Sequence, residues 1–257
     1  MEIFRDRKTE APVRFVVFSF LSIVCGAFVL LSVINWLFFQ DNAFYQRPSV
    51  AASSLHALRR MISVVLNPAW SLPDSWAPML AAYDVLISSG AAIYQETFFK
   101  TGIRFQYPPS ALLVIDFLNA LDVQPQLALQ GMNVFFFLMI ALTSSFIAVA
   151  CFEKIYSSTA RDKICLYVIG FLLPFFFYPI IHALNMGQVQ IWIDAFICMS
   201  VLAWLKERKT MAGAMAGLTC LFKPQASLLL LWSVAARDWH FVRGFAIVVF
   251  SLSLIHI

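Results

Sequence analysis

A few short polar stretches carry side chains able to do chemistry in a chain otherwise built of apolar residues. Asp74, in LPDSWAP, is held between Pro73 and Pro78 beside Trp76. An aromatic wall of that kind can raise a carboxyl pKa towards general-base duty, although taken alone Asp74 is a turn acid. Asp84 and Glu96 are the alternative carboxylates, each on a segment expected to be helical or solvated. Tyr107 opens the YPP turn, and NMGQVQ (185–190) supplies Gly187, Gln188 and Gln190. Gly187 and Gln188 stand where an apolar stretch begins; a helix N-terminus there would present amide N–H groups and a positive dipole suited to a phosphate. A simple turn explains the glycine equally well. Gln190 and Asp194, at i and i+4, share a helix face, and a carboxylate inside an apolar stretch is either functional or a hydrogen-bonded structural group. Lys223, before Pro224, is the only basic residue of its apolar stretch. An unpaired ammonium near hydrocarbon costs roughly several kcal/mol unless an anion, such as a lipid phosphate, meets it or the chain snorkels to the interface.

Other chemistries lack their residues. His56, His182 and His240 stand far apart, the cysteines (Cys25, Cys151, Cys165, Cys198 and Cys220) are scattered through apolar runs without a CxxC, and His182 reads as a polar helix end. No metal-ligand spacing and no disulfide framework follow. There is no P-loop, GxGxxG or GxSxG, so nucleotide binding is unsupported.

The elements that must position these residues belong to a membrane. The 257 residues are 61% hydrophobic and 12% charged, with mean hydropathy +0.80, against about 45–50% apolar and 25% charged in soluble domains. This composition, with 26 Phe, excludes disordered, collagenous and disulfide-scaffold classes and a soluble nucleic-acid binder. The net charge of +4 reports topology rather than an anionic partner. An all-α polytopic membrane protein is expected.

Apolar spans are expected at about 15–39, 127–152, 164–183, 189–205 and 210–223, with a weaker apolar hairpin near 225–236 and a further start near 244. The first reads as an uncleaved helix rather than a signal peptide. Placing Arg5, Arg7, Lys8 and Arg14 in the cytoplasm puts 40–126 outside and returns Lys154, Arg161, Lys163, Lys206, Arg208 and Lys209 to the cytoplasm, as the positive-inside rule asks. The stretch 107–121 is too short to span, carries Asp116 and opens on Pro108–Pro109, so it reads as an interfacial helix. Residues 50–66 likewise read as a surface-lying helix, apolar on one side with Arg59 and Arg60 opposite. All the polar stretches named above then fall at the outer face.

In order, AAYDVLISSGAAIYQ (81–95), FQYPPSALL (105–113), NMGQVQ (185–190) and FKPQ (222–225), preceded by an outer acid, resemble glycosyltransferase family 87 among the GT-C glycosyltransferases. The resemblance covers about 70–236. It implies a GT-C-like helical bundle with a long first extracytoplasmic loop. It also implies an inverting transfer of a hexose, mannose foremost, from a polyprenyl-phosphate donor to a glycan or glycolipid acceptor at the extracytoplasmic face of the cell (inner) membrane. No cofactor and no divalent metal are implied, since the lipid-linked sugar is itself a substrate. Asp74 would be the base, with Asp84 and Asp41 as alternatives because DSWAP replaces the family's usual surroundings of the acid. Tyr107, Gly187, Gln188 and Lys223 would bind the donor, and Asp84, Gln190 and Asp194 are further candidates for the site. The Phe-rich runs 135–137 and 175–177 are candidates for lining a polyprenyl groove.

Two other classes compete: a transporter or flippase of lipid-linked sugars, with Asp194 and Lys223 as pathway charges, and a non-catalytic scaffold. The large outer loop bearing an acid favours the enzyme. No internal repeat or linker appears, so 1–251 is expected to form one transmembrane domain. Leu252–Ile257 (LSLIHI) match one reading frame of a sequencing-library adapter, which makes the chain an expected N-terminal fragment.

Overall fold

The computed structural model describes residues 54–89, 93–155 and 158–254. The expected first span and Asp41 lie outside them, as do residues 255–257 of the adapter-like end. The described residues are helical, without a strand. The helices are α1 (Ser54–Leu66), α2 (Trp76–Ser89), α3 (Leu113–Ala120), α4 (Pro125–Ile155), α5 (Ala160–Phe176), α6 (Tyr178–Met186), α7 (Gln190–Leu205), α8 (Lys209–Cys220), α9 (Leu228–Ala235) and α10 (Trp239–Leu254). This is an all-α membrane protein, as the composition requires.

Among the described residues one helix is long and apolar enough to cross a bilayer, Pro125–Lys154, with mean hydropathy 2.4. The expected span 164–183 is broken: α5 and α6 meet at 56° and make a second span only if the bent pair is counted as one. Pro174 is the local cause, because it removes an amide donor from the last turn of α5, after which Phe177 leaves the helical region. Helices α7 and α10 and the segment Pro109–Ala120 are shorter apolar helices. Within α1, Ala57, Met61 and Val64, the i, i+4 and i+7 stripe, are buried while Arg59 is exposed.

The described residues fall into two compact units, 54–62 with 141–182, and 63–140 with 183–254. In the first, α5 starts with a capping box: Thr159 Oγ1 accepts from the Asp162 amide at 3.3 Å, and the Asp162 carboxylate accepts from the Thr159 amide at 3.0 Å. Lys163 pairs with Glu153 at 2.5 Å. Gly170 lets α5 approach α4, since a Cβ there would sit 2.6 Å from Ser145 Cα.

In the second unit, α8 and α10 touch backbone to backbone. A Cβ on Gly213 would run into the Phe241 carbonyl, one on Gly244 into the Thr210 carbonyl, and one on Gly217 would lie 3.1 Å from the Phe245 carbonyl. Gly213 and Gly217 form a GxxxG pair, a membrane packing signal that the reading by spans and charges passes over. Ala203, Ala212, Ala216, Phe241 and Phe245 fill the core there, and Ser200 Oγ donates to the Ala212 carbonyl at 2.8 Å. Asp238 accepts from the Phe241 amide at 3.3 Å and pairs with Lys209 at 3.0 Å, which fixes the start of α10.

Candidate active site

The second unit gathers the polar stretches singled out in the sequence, and the junction between α6 and α7 is where they meet. Gly187 ends α6 at φ +66. Its amide donates to Leu184 at 3.1 Å and that of Gln188 to Ala183 at 2.9 Å, the paired closure of a Schellman motif. The missing side chain has a second use: a Cβ on Gly187 would collide with the Leu72 carbonyl. Residues 72–75 therefore lie directly along 185–187, with Leu72 N bonded to Asn185 O at 3.0 Å, Asp74 N to Met186 O at 3.0 Å and Ser75 N to Gly187 O at 3.4 Å. Because the Gly187, Gln188 and Val189 amides are all engaged within the protein, the contribution Gln188 makes to the site is its side chain.

Three consecutive residues then hold four partners. Gln188 Nε2 donates to Asp74 Oδ2 at 2.8 Å. The Val189 amide donates to Ser75 Oγ at 3.1 Å. Lys223 Nζ donates to Gln190 Oε1, and Gln190 Nε2 donates to Asp194 Oδ1 at 2.6 Å. The i, i+4 spacing of Gln190 and Asp194 thus has the consequence expected on a helix face. Asp74 and Lys223 are exposed; Gln188, Gln190 and Asp194 are half-buried.

Tyr107 joins through Ser75, whose hydroxyl lies 2.8 Å from the phenol oxygen. Burial pushes the Tyr107 phenol above its ordinary pKa, the hydrogen bond with Ser75 offsets part of the rise, and the charge of Asp74 adds to it. The turn is held from both sides, since Tyr94 Oη donates to the Tyr107 carbonyl at 2.7 Å and Ser110 Oγ donates to the Leu221 carbonyl at 3.0 Å. That last bond ties the YPP turn to the FKP turn.

Trp76 is fully buried against Trp192, with ring centroids 5.3 Å apart. Trp192 in turn packs on Phe136 and Phe222 and donates to Asn133 Oδ1 at 2.7 Å. The Asp74 carboxylate, by contrast, is exposed and partnered by an amide, so the aromatic wall expected around it is not its immediate partner. Asp84 is exposed on α2 and makes none of these bonds. Glu96 is paired with Lys100 at 2.5 Å, Asp116 accepts from Tyr83 at 2.8 Å, and His182 stacks on Tyr178 at 5.7 Å.

Ser75, Ser110, Gln130 and Asn133 are missed by reading residues for chemistry. Gln130 Nε2 donates to the Ser71 carbonyl at 3.2 Å, steadying the loop that carries Asp74. A signal for the last two existed: polar residues at i and i+3 in an apolar span mark a face turned to protein.

The arrangement sets a carboxylate and an ammonium on one short stretch of backbone, with a phenol and amides around them. The chain matches the model of glycosyltransferase family 87 over residues 105–256. Comparisons with curated proteins and with solved structures give no match. The matched stretch carries Tyr107, Gly187, Gln188, Gln190, Asp194 and Lys223, while Asp74 precedes it and is tied to it by Gln188 and Ser75. With more than half of its residues matched, this chain belongs to glycosyltransferase family 87 and is a glycosyltransferase.

Proposed function

We propose that the protein is a GT-C enzyme transferring a hexose, mannose foremost, from a polyprenyl-phosphate donor to a glycan or glycolipid acceptor, with inversion. The observation that carries the reading is that the tripeptide Gln188-Val189-Gln190 holds a carboxylate at one end, Asp74, and an ammonium at the other, Lys223. Inverting transfer needs those two groups. The acceptor hydroxyl must lose its proton as it attacks the anomeric carbon, and Asp74, held through Oδ2, keeps Oδ1 for that proton. The departing phosphate takes the electrons of the broken glycosidic bond, and Lys223 meets its charge. Tyr107 stays a neutral phenol beside Asp74, able to donate to a substrate oxygen. Gly187 positions the two segments, and the reaction so written uses no metal.

The site end of α7 is Gln190, and its other end runs into Lys206, Arg208 and Lys209. The positive-inside rule then supports a cytoplasmic position for the basic end and an extracytoplasmic one for the site, in a multi-pass protein of the cell membrane.

The test is transfer of radiolabelled mannose from polyprenyl-phosphate-mannose in membranes carrying the protein or Asp74→Asn. A fall of about a hundredfold or more, the low end of general-base contributions, is expected. Transfer unchanged in Asp74→Asn would move the base to Asp84 or Asp41. Transfer from nucleotide sugars, with none from any polyprenyl-phosphate hexose, would overturn the donor class.

A further inference from the structure

Gln190 stands between the ammonium of Lys223 and the carboxyl of Asp194, and its amide can sit only one way round. An ammonium has donors and no lone pair, so the oxygen must face Lys223, which leaves the NH₂ group for Asp194. The anion and the cation are therefore linked through a neutral side chain. Among the described residues Lys223 forms no ion pair, although Asp194 lies near enough to feel its charge. The three groups also differ in setting: Asp194 and Gln190 are half-buried on the first turns of α7, and Lys223 is exposed at the turn after α8.

We infer that Gln190 is a positioning residue, a neutral spacer that anchors the Lys223 ammonium to α7 without neutralising it. One of the three ammonium donors is spent on Gln190 Oε1, and two stay available for an anion. Asp194 serves as the anchor that holds the amide in its orientation rather than as a base or a pathway charge. A direct Lys223–Asp194 contact would instead satisfy the cation internally, and an incoming phosphate would have to displace a carboxylate. The ligand class is a phosphate ester, carried either by the lipid-linked donor or by the polyprenyl phosphate left after transfer. The inference rests on the polyprenyl-phosphate reading above and gives Lys223 its supporting residues.

Gln190→Glu keeps the shape of the side chain and places a carboxylate against Lys223. KM for polyprenyl-phosphate-mannose and the inhibition constant of polyprenyl phosphate are expected to rise tenfold or more, with KM for the acceptor changing less than threefold. In Gln190→Glu the new carboxylate also faces Asp194, so the double variant Gln190→Glu/Asp194→Asn removes that repulsion. The double variant is expected to keep the raised donor KM, because Lys223 is still paired. Donor KM unchanged in Gln190→Glu, or restored in the double variant, would overturn the spacer. Lys223→Met separates this from the underlying reading. If Lys223→Met raises donor KM and Gln190→Glu does not, the spacer alone fails. If Lys223→Met leaves donor KM as it was, the phosphate role of the lysine fails and the spacer with it.

Discussion

Gln188 Nε2 and Asp74 Oδ2 are 2.8 Å apart, although 114 positions separate the two residues in the chain. An amide donor on one carboxylate oxygen leaves the carboxylate a single open side, which is an orientation device for a base. A hydrogen bond to an exposed group contributes about 1 kcal/mol, the typical net value and below that of buried charge-assisted bonds, equal to roughly a fivefold effect on rate. Gln188→Leu should therefore lower kcat about fivefold with little change in donor KM. A kcat unchanged in steady-state transfer assays would mean that the bond does not orient the base.

Gly187 is strained for any other residue twice over. At φ +66 a side chain costs roughly 1–3 kcal/mol, and its Cβ would meet backbone, the Leu72 carbonyl, which cannot swing aside. Gly187→Ala should separate 72–75 from 185–187, abolish transfer and lower the thermal midpoint of the purified protein. Gly131 offers the contrast, since a Cβ there meets nothing within 4 Å. Gly131→Ala should be tolerated, gaining up to about 1 kcal/mol of helix propensity.

Tyr107 makes a pH prediction. Its folded pKa is raised, chiefly by burial, so the neutral phenol is favoured in the folded state. The contribution to stability is full below the ordinary phenol pKa of about 10 and is lost as pH rises through the folded value. Thermal midpoints followed from pH 8 upwards should fall above about pH 10, and less so in Tyr107→Phe. An equal fall in both proteins would place the alkaline lability elsewhere.

Ser75 serves two partners with one hydroxyl, accepting from Val189 and bonding to Tyr107. Ser75→Ala leaves a buried amide without its acceptor, at about 1–3 kcal/mol. Thermal unfolding should show that loss. Ser75→Thr keeps the hydroxyl and should recover more activity than Ser75→Ala; equal activities would deny the hydroxyl this role.

The packing of α8 on α10 is open to the same kind of test. Gly213→Val would drive a branched side chain into the Phe241 carbonyl, and no rotamer relieves a contact made by the Cβ itself. Loss of folded protein from membranes is expected. Normal levels of a stable variant would show that the helices separate at little cost.

Much of this protein is legible in its residue order because the signals are local. Hydropathy over about 20 residues marks a membrane chain, Pro108–Pro109 and Pro224 mark turns, and Gly187 marks a helix end. Gln188, Gln190 and Lys223 stand out as polar residues in an apolar chain. What the tertiary structure alone decided is partnership. Asp74 rather than Asp84 meets Gln188, Lys223 reaches Asp194 only through Gln190, and Ser110 joins two turns 111 positions apart. The Gly187–Gln188 amides, by contrast, are taken up locally, closing α6 on Leu184 and Ala183 instead of opening α7. The 56° break after α5 was also a tertiary matter, since a proline in a helix marks where a bend can occur and the surrounding packing sets how far it goes. Hydrophobic period and turn chemistry act over a few residues, whereas a hydrogen bond between distant segments depends on which backbones can approach. Here that approach is permitted at Gly187 and Gly213, where the side chain is a hydrogen atom.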